Sequence, residues 1–193
     1  MKRINEIFYS LQGEGRNTGR AAIFIRFSGC NLRCPFCDTD FHDYTEMSDE
    51  DIVNAIAPYE TRLVVLTGGE PTLQADAPFI ALLHSHGYEV AMETNGTQPL
   101  PEGLDWSTVS PKALFTGAPG RPVVTRCNEL KCIFDHTGRV EDFGIKADYY
   151  YLQPCDTGHP QADKQTLQAC IQYILRHPKW QLSLQTHKLI GVR

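Results

Sequence analysis

The strongest constraint on the fold is a series of short strand-like runs separated by few helices. Each run is rich in β-branched or aromatic residues and ends in turn residues, which is typical of a buried strand. The runs are AIFIRF (22–27), RLVVLT (62–67), YEVAMET (88–94), ELKCIF (129–134), DYYYLQ (148–153) and WQLSLQT (180–186), with DWSTVS (105–110) as a weaker seventh. Helical spacing is clear only in three segments, which are 48–56, 76–86 and 163–177.

Strands that alternate with helices predict a mostly parallel sheet. Three helices are too few to connect all the strands of a full eightfold barrel, and 193 residues fall short of the roughly 250 that such a barrel takes. We therefore expect one α/β domain over residues 1–193. Its predicted architecture is a partial, incomplete TIM-type barrel of six or seven mostly parallel strands with few helices.

Composition excludes several classes of function. The chain is 41% hydrophobic and 21% charged, which lies in the globular range. A formal net charge of -5 gives no basic stripe for a phosphate backbone. The first residues lack the apolar region of a signal peptide, and no run is long enough to cross a membrane. We expect a cytoplasmic protein that binds neither nucleic acid nor membranes directly.

The seven cysteines are not expected to form a set of disulfides. A reducing compartment disfavours disulfides, and an odd number cannot pair completely within one chain. Three cysteines fall within eight positions directly after the first predicted strand: Cys30, Cys34 and Cys37. Three others are expected to be small, buried apolar side chains: Cys127, Cys132 and Cys170.

Short polar motifs follow most of the predicted strands. They are the cysteine loop, TGGEP (67–71), ETNG (93–96), SPK (110–112) and LQPCD (152–156). Each is a weak signal alone, since a Gly-Gly pair is ordinarily a turn. Ligands of α/β sheets gather at the carboxyl ends of the strands. The arrangement therefore predicts one site at that edge.

Three thiols in one loop allow a structural interpretation. Structural zinc sites take four ligands in a tetrahedron, and His42 follows the loop closely enough to be the fourth. A zinc-stabilised binding module with Cys30, Cys34, Cys37 and His42 is therefore one hypothesis.

The cysteine spacing also resembles a catalytic signature. Cys-x3-Cys-x2-Cys after an early strand, with Phe36 before the last cysteine and GGEP after the next strand, resembles the radical S-adenosylmethionine superfamily. The resemblance implies that three thiolates hold a 4Fe-4S cluster, whose fourth iron binds S-adenosyl-L-methionine. The reduced cluster then cleaves this cofactor to a 5'-deoxyadenosyl radical, which abstracts a substrate hydrogen. It also implies a reducing electron donor such as flavodoxin or ferredoxin.

A narrower resemblance extends over nearly the whole chain. LQGEG (11–15), CDT (37–39), TGGEPTLQ, ETNGT, SPK, LQP and QTHK (185–188) together resemble the 7-carboxy-7-deazaguanine synthase family. This implies conversion of 6-carboxy-5,6,7,8-tetrahydropterin to 7-carboxy-7-deazaguanine with loss of ammonia, on the route to queuosine. It also implies a homodimer that needs Mg2+. An activase of a glycyl-radical enzyme remains the alternative within enzymes, since it shares the cluster loop.

The family resemblance assigns roles to individual residues. The implied S-adenosylmethionine pocket comprises Gly69, Glu70, Ser110, Pro111, Lys112, Gln153, Pro154, Cys155 and Asp156. The implied substrate-binding residues are Leu11, Gln12, Gly13, Glu14, Arg26, Thr67, Glu93, His187 and Arg193. Carboxylates such as Glu14 and Glu93 suit the amino-amidine edge of a pterin because they accept paired hydrogen bonds.

Three of these assignments have physical arguments of their own. Arg26 could clamp the substrate carboxylate, or form a buried ion pair with a loop aspartate instead. The resemblance also implies that Thr39 offers a hard oxygen to Mg2+, although a threonine after a turn is usually a cap. The last residues, KLIGVR, are rich in apolar side chains, which predicts a docked terminus. We expect the α-carboxylate of Arg193 to accept a hydrogen bond from the pterin, and a tail that merely covers the barrel or a dimer contact is the alternative.

The cysteine assignment is directly testable. Replacing any one of Cys30, Cys34 and Cys37 by alanine should abolish iron-sulfur absorbance and S-adenosylmethionine cleavage, because the cluster loses a ligand. The matched controls are alanine variants of Cys127, Cys132, Cys155 and Cys170, which should retain both. An equally essential fourth cysteine would refute an open coordination site.

Overall fold

The computed structural model describes residues 1–37 and 43–193. In this part of the chain nine strands form one sheet, in the order β3-β1-β2-β4-β5-β6-β7-β8-β9. The strands are β1 (Lys2–Leu11), β2 (Ala21–Phe27), β3 (Thr45–Met47), β4 (Leu63–Gly68), β5 (Glu89–Thr94), β6 (Trp106–Val109), β7 (Arg126–Phe134), β8 (Lys146–Pro154) and β9 (Gln181–Leu182).

The strand pairing confirms the predicted fold class. From β2 to β9 every neighbouring pair is parallel, whereas β1 pairs antiparallel with both β2 and β3. Among the described strands β3 and β9 lie at opposite edges and do not pair, so the sheet is open. The result is a partial TIM-type barrel to which an antiparallel hairpin-like edge has been added. Strand β1 was not among the predicted strands.

The helices begin at well-defined signals. They are α1 (Asp49–Ile56), α2 (Ala77–Ser85), α3 (Ala113–Thr116), α4 (Pro160–Arg176) and α5 (Thr186–Ile190). Before α1, the Ser48 hydroxyl accepts from the Asp51 amide, and the Asp51 carboxylate accepts from the Ser48 amide, which is a capping box. Helix α2 is capped by Asp76 and is followed by Gly87 at φ 79°. The three predicted helices are thereby confirmed, with shifted ends.

The strands are apolar on both faces because both faces are covered. On the outer face, Ile23, Ile25 and Phe27 of β2 pack with the buried side chains of α1 and α2. On the inner face, Phe8 of β1 and Phe24 of β2 stack with ring centroids 4.8 Å apart. Burial on both sides explains why these strands are nearly continuous hydrophobic runs in the sequence.

The inner face changes character towards the carboxyl ends of the strands. Arg26 lies beside Thr67 in the β2–β4 register, and Glu93 lies beside Thr108 in the β5–β6 register. Thr108 in turn neighbours Glu129 of β7. Side chains alternate across a strand, so the inward positions are apolar near the strand starts and polar near the strand ends. This polar end of the half-barrel is where the predicted motifs meet.

The predicted strand over 180–186 is wrong for most of its length. Strand β9 covers only Gln181–Leu182, and it meets β8 only opposite Tyr151 and Leu152. Beyond it the chain turns inward, because the Thr186 amide and hydroxyl both donate to the Gly13 carbonyl, at 2.9 and 2.8 Å. Helix α5 starts at that residue instead.

The cysteines outside the loop pack as predicted. Cys127, Cys132 and Cys170 are buried in the hydrophobic cluster between β7, β8 and α4. Burial raises the pKa of each of these thiols to about 12, so they are neutral apolar side chains at neutral pH. No helix in the described part of the chain is long and apolar enough to span a membrane.

Candidate active site

The motifs at the strand ends enclose one cavity of about 300 Å³. Most of the predicted site residues line it: Leu11, Gln12, Gly13, Glu14, Arg26, Cys30, Cys34, Cys37, Thr67, Gly69, Glu93, Ser110, Lys112, Gln153, Pro154, Cys155, Asp156, His187 and Arg193. Glu70 and Pro111 are buried outside this lining. Thr39 and His42 lie outside the described residues. The sequence motifs therefore converge on one space, as parallel strand ends require.

The cysteine loop presents three thiols to the cavity. The Leu32 amide donates to Cys30 Sγ at 3.4 Å, and the Cys37 amide donates to the Cys34 carbonyl at 3.2 Å. Phe36, between the last two cysteines, packs edge-on against Phe115, with ring centroids 4.7 Å apart. Burial raises the pKa of the Cys30 and Cys34 thiols. Such thiols lose their protons when a metal takes the protons' place.

The loop does not provide a ready-made site for one ion. Within residues 1–37 and 43–193, no group of three His, Cys, Asp or Glu side chains converges closely enough to hold a single metal ion. The zinc hypothesis also needs His42, which lies outside the described residues, so it stays a hypothesis. Three thiols on one cavity wall fit a larger group that bridges them, such as an iron-sulfur cluster with three cysteine ligands.

The GGEP turn holds the cysteine loop by its backbone. The Gly69 amide donates to the Phe27 carbonyl at 3.0 Å, and the Glu70 amide donates to the Gly29 carbonyl at 2.9 Å. A Cβ atom on Gly69 would collide with the Gly29 carbonyl, so this approach is open only to glycine. The turn thus fixes the chain directly before Cys30.

The Glu70 carboxylate is a structural anchor and does not reach the cavity. Its Oε1 accepts from the Thr72 amide at 3.1 Å, the Thr72 hydroxyl at 2.6 Å and the Thr94 hydroxyl at 2.6 Å. Its Oε2 accepts from the Asn95 amide at 2.8 Å. The side chain is fully buried, and both oxygens are occupied. Glu70 therefore ties the turn after β4 to the turn after β5.

A second tie joins the cysteine loop to the ETNGT turn. Asn31 donates to the Thr97 hydroxyl at 2.7 Å and accepts from the Asn95 side chain at 3.0 Å. Asn31 directly follows Cys30, so this contact orients the start of the cysteine loop relative to β5. Together with Glu70, it explains why ETNGT accompanies the cysteines in the sequence.

The SPK turn places an ammonium near the thiols. Lys112 Nζ donates to the Ser110 carbonyl at 2.8 Å and to the Ser110 hydroxyl at 2.6 Å. Burial lowers the pKa of Lys112, while the nearby Cys34 opposes this effect. The positive charge of Lys112 in turn favours the thiolate forms of Cys30 and Cys34.

The end of β8 forms another part of the wall. Gln153 is buried and accepts from the Ser183 hydroxyl at 2.9 Å. Asp156 accepts from Lys188 Nζ at 2.7 Å, which links this segment to α5. Cys155 lines the cavity, and burial raises the pKa of its thiol.

Two carboxylates on the lining share one ammonium. Lys131 Nζ donates to Glu14 Oε2 and lies 3.5 Å from Glu93 Oε1. Gln12 donates to Glu93 Oε1 at 3.1 Å, and Thr67 donates to Glu93 Oε2 at 3.3 Å. Neither glutamate is a solvated loop residue, since both side chains are mostly buried. They form a paired acceptor on the cavity wall.

The first and last motifs of the chain meet over the cavity. Gln185 donates to Glu14 Oε1 at 2.9 Å, and Thr186 bonds to the Gly13 carbonyl. The His187 ring packs directly on Gly13, where any Cβ would collide with the imidazole. This contact makes glycine necessary in LQGEG and brings His187 into the lining.

Arg26 forms an ion pair with a glutamate of β1, whereas the sequence analysis considered a loop aspartate as its partner. Its Nε donates to Glu6 Oε1 of β1 at 2.8 Å, and the Arg193 guanidinium pairs with Glu6 Oε2. The guanidinium carbons of Arg26 and Arg193 lie 5.7 and 5.2 Å from the Phe8 ring centroid. With the α-carboxylate of Arg193, two cations and two carboxylates meet here, so the charges of this group balance.

The terminal segment docks through polar contacts. The Ser10 hydroxyl donates to the Arg193 terminal oxygen at 2.5 Å, and Arg193 lines the cavity. The apolar side chains that suggested docking are largely exposed: Leu189, Ile190 and Val192. The apolar argument was therefore wrong, because the contacts come from Arg193 itself. A hydrogen bond between its α-carboxylate and a pterin stays a prediction.

Known proteins are similar to this chain in sequence and in fold. A family model described as the radical SAM superfamily matches residues 24–106. The 7-carboxy-7-deazaguanine synthase of Bacteroides thetaiotaomicron is 46% identical over 100% of both chains, and that of Nitratidesulfovibrio vulgaris is 44% identical over 98% of both. The crystal structure of QueE from Escherichia coli superposes with a TM-score of 0.75 at 28% identity, covering 95% of this chain and 93% of that one. The chain belongs to the 7-carboxy-7-deazaguanine synthase family.

Membership of the 7-carboxy-7-deazaguanine synthase family confirms the resemblance on which the site was predicted. The two relatives align over essentially their entire length, so LQGEG and QTHK lie within the matched region as well as the cysteine loop. The superfamily match by itself ends at residue 106, before the SPK turn and the lysine of β7.

The sequence-based prediction missed several polar residues that hold the predicted site residues in place. Lys131, Gln185 and Glu6 each contact a predicted site residue. A signal for Lys131 was present in ELKCIF, where charged side chains occupy alternate positions of an otherwise apolar strand. Such a pattern indicates one polar face in a strand that is covered on both sides.

The structural role of Glu70 can be separated from a ligand role. Glu70→Gln puts an N–H group where the carboxylate accepts bonds, so we expect a loss of about 2 kcal/mol in the free energy of unfolding. Anaerobic urea denaturation measures it, and the exposed Glu102→Gln is the matched control. Wild-type stability combined with a selective loss of S-adenosylmethionine affinity would instead place Glu70 on the cofactor.

Proposed function

We propose that this chain converts 6-carboxy-5,6,7,8-tetrahydropterin to 7-carboxy-7-deazaguanine by radical S-adenosylmethionine chemistry, with loss of ammonia. The observation that carries the proposal is that one cavity is lined by both the three-thiol loop and the Glu14–Glu93 acceptor pair. The first group suits the cluster, and the second suits a pterin. Family membership supports the combination.

The loop thiols are suited to hold a cluster with one open iron. Cys30, Cys34 and Cys37 would hold the 4Fe-4S cluster, and the cluster with S-adenosylmethionine would supply the radical chemistry when bound. The chain itself fixes the loop through Gly69 and Asn31. It thereby sets where the cofactor meets the substrate.

S-Adenosylmethionine would occupy the wall between the GGEP turn and the end of β8. The residues proposed to surround it are Gly69, Ser110, Lys112, Gln153, Pro154, Cys155 and Asp156. Glu70 and Pro111 are buried outside the cavity lining and would support the adjoining turns. Backbone groups of these turns can contact the cofactor without help from their side chains. Substitutions that keep the turn geometry should therefore be tolerated here.

The substrate would lie against the opposite set of predicted residues. The two carboxylates accept hydrogen bonds from the amino-amidine edge, and Arg26 meets the substrate carboxylate. The remaining contacts come from Leu11, Gln12, Gly13, Thr67, His187 and Arg193. The stacked Phe8 and Phe24 rings add an apolar surface to the cavity lining.

We also propose that the enzyme requires Mg2+, works as a homodimer in the cytoplasm, and receives electrons from flavodoxin or ferredoxin. Thr39 would be the protein ligand of the ion, with water and substrate oxygens completing its octahedron. The family resemblance supports these assignments.

Product formation tests the function directly. The anaerobically reconstituted protein, with S-adenosylmethionine, a chemical reductant and 6-carboxytetrahydropterin, should yield 7-carboxy-7-deazaguanine by mass spectrometry. Cys34→Ala is the control and should yield none. Cleavage of S-adenosylmethionine without any pterin-derived product would contradict the proposal and favour an activase.

Magnesium dependence is tested at Thr39. Thr39→Ala should keep the iron content and the uncoupled cleavage of S-adenosylmethionine, while the magnesium concentration for half-maximal turnover rises severalfold because one ligand is lost. Thr45→Ala, at an exposed threonine beyond the loop, is the control. A magnesium titration that matches the wild type would exclude Thr39 as a ligand.

A further inference from the structure

One ammonium lies among the carboxyl groups of the inner face. Lys131 is on β7, its side chain is only 5% exposed, and it still contributes to the cavity lining. Its Nζ contacts Glu14 from the loop after β1 and lies 3.5 Å from Glu93 of β5. A lone buried ammonium is very unfavourable, so its position depends on these partners.

The two carboxylates depend on Lys131 in return. Burial favours the neutral form of Glu14, but the charge of Lys131 and hydrogen bonds from Lys131 and Gln185 outweigh it and lower its pKa to about 2. A protonated Glu14 would present an O–H group where a substrate amino group needs an acceptor. The ammonium therefore preserves the acceptor character of this wall.

Gln12 is a second side chain that contacts both Glu14 and Glu93. Its side chain donates to Glu93 Oε1 at 3.1 Å and accepts from the Glu14 amide at 3.1 Å. Lys131 and Gln12 thus join the same two glutamates, which come from segments distant in the sequence. The relative placement of the two carboxylates follows from these two bridging side chains.

We propose that Lys131 is a positioning residue for substrate recognition, whose ammonium holds the Glu14 and Glu93 carboxylates side by side as acceptors for the amino-amidine edge of the pterin. This inference rests on the proposed function and deepens it. Lys131 acts through the two glutamates and takes no part in the radical step.

Other ionisable groups face the same cluster from each neighbouring element. They are Glu129 on β7 itself, Lys112 after β6, Tyr151 on β8 and His187 on α5. Glu129 accepts from the Arg16 amide at 2.9 Å, so it also anchors the loop that carries Glu14. The charge of Lys131 also acts to lower the pKa of Glu129, so a Glu129→Gln background separates the titration of Glu129 from that of Glu14.

The test uses the holoenzyme and 6-carboxypterin, an oxidised analogue that lacks the ring hydrogen to be abstracted. Lys131→Met should raise its dissociation constant about tenfold or more at pH 7.5, because one member of a buried charge pair is removed. The dissociation constant of the variant divided by that of the wild type should increase from pH 8 to pH 6, since Glu14 without Lys131 takes up a proton. Titration of 6-carboxypterin itself affects both proteins equally and therefore cancels in this ratio. Lys131→Arg should restore most of the affinity.

Two controls separate positioning from folding. Iron content and uncoupled S-adenosylmethionine cleavage should stay at wild-type levels, and Lys146→Met tests an exposed lysine of the adjacent strand. If Lys131→Met does not fold, the double variant Lys131→Met with Glu129→Gln restores the net charge of the cluster and keeps an acceptor for the Arg16 amide. The same affinity loss and pH trend are expected in that variant.

The outcomes separate the two proposals. A wild-type holoenzyme that binds and converts the pterin, together with a folded variant of unchanged affinity at every pH, would overturn the role of Lys131 alone. A wild type that neither binds nor converts a pterin would overturn the proposed function and this inference with it. A lower affinity that is equal at all pH values and is not restored by arginine would also overturn positioning, because it would indicate packing.

Discussion

The parallel pairing of neighbouring strands from β2 to β8 is the constraint on which the whole site depends. Parallel strands end at the same edge, and their inward side chains alternate, so one register brings Arg26, Thr67, Glu93 and Thr108 together. A shift of one residue in any pair would turn its polar side chain to the opposite face. The apolar packing on both faces prevents such a shift.

Backbone contacts between loops convert this edge into a cavity. Gly69 allows the GGEP turn to touch the chain before Cys30, and Gly13 allows the first loop to receive the His187 ring. The buried carboxylate of Glu70 fixes the turns after β4 and β5 to each other. The residues proposed to bind the cluster and the substrate are thus positioned by glycines and by a buried glutamate that do not bind them.

Charge balance shapes the interior as strongly as packing does. Buried carboxylates favour their neutral form unless a cation is near, and Lys131 provides that cation for Glu14 and Glu93. Elsewhere on the lining, Glu6 holds Arg26 and Arg193, and with the α-carboxylate of Arg193 the charges of this group balance. The cavity lining therefore offers both carboxylate acceptors and guanidinium donors, which suits a ligand with an amidine edge and a carboxylate.

Local patterns were enough to predict the parallel sheet, the three longer helices and the cysteine loop, because periodicity, capping residues and ligand spacing act over a few positions. They could not predict the partners that meet across the fold. Gln185 bonds Glu14 from 171 positions away, and Lys131 does so from 117. The final predicted strand ends at Leu182, and the chain after it is held against Gly13 by Thr186. Such contacts follow from the order and curvature of the strands. The sequence therefore indicates which residue types form the site, and the tertiary structure decides which of them contact each other.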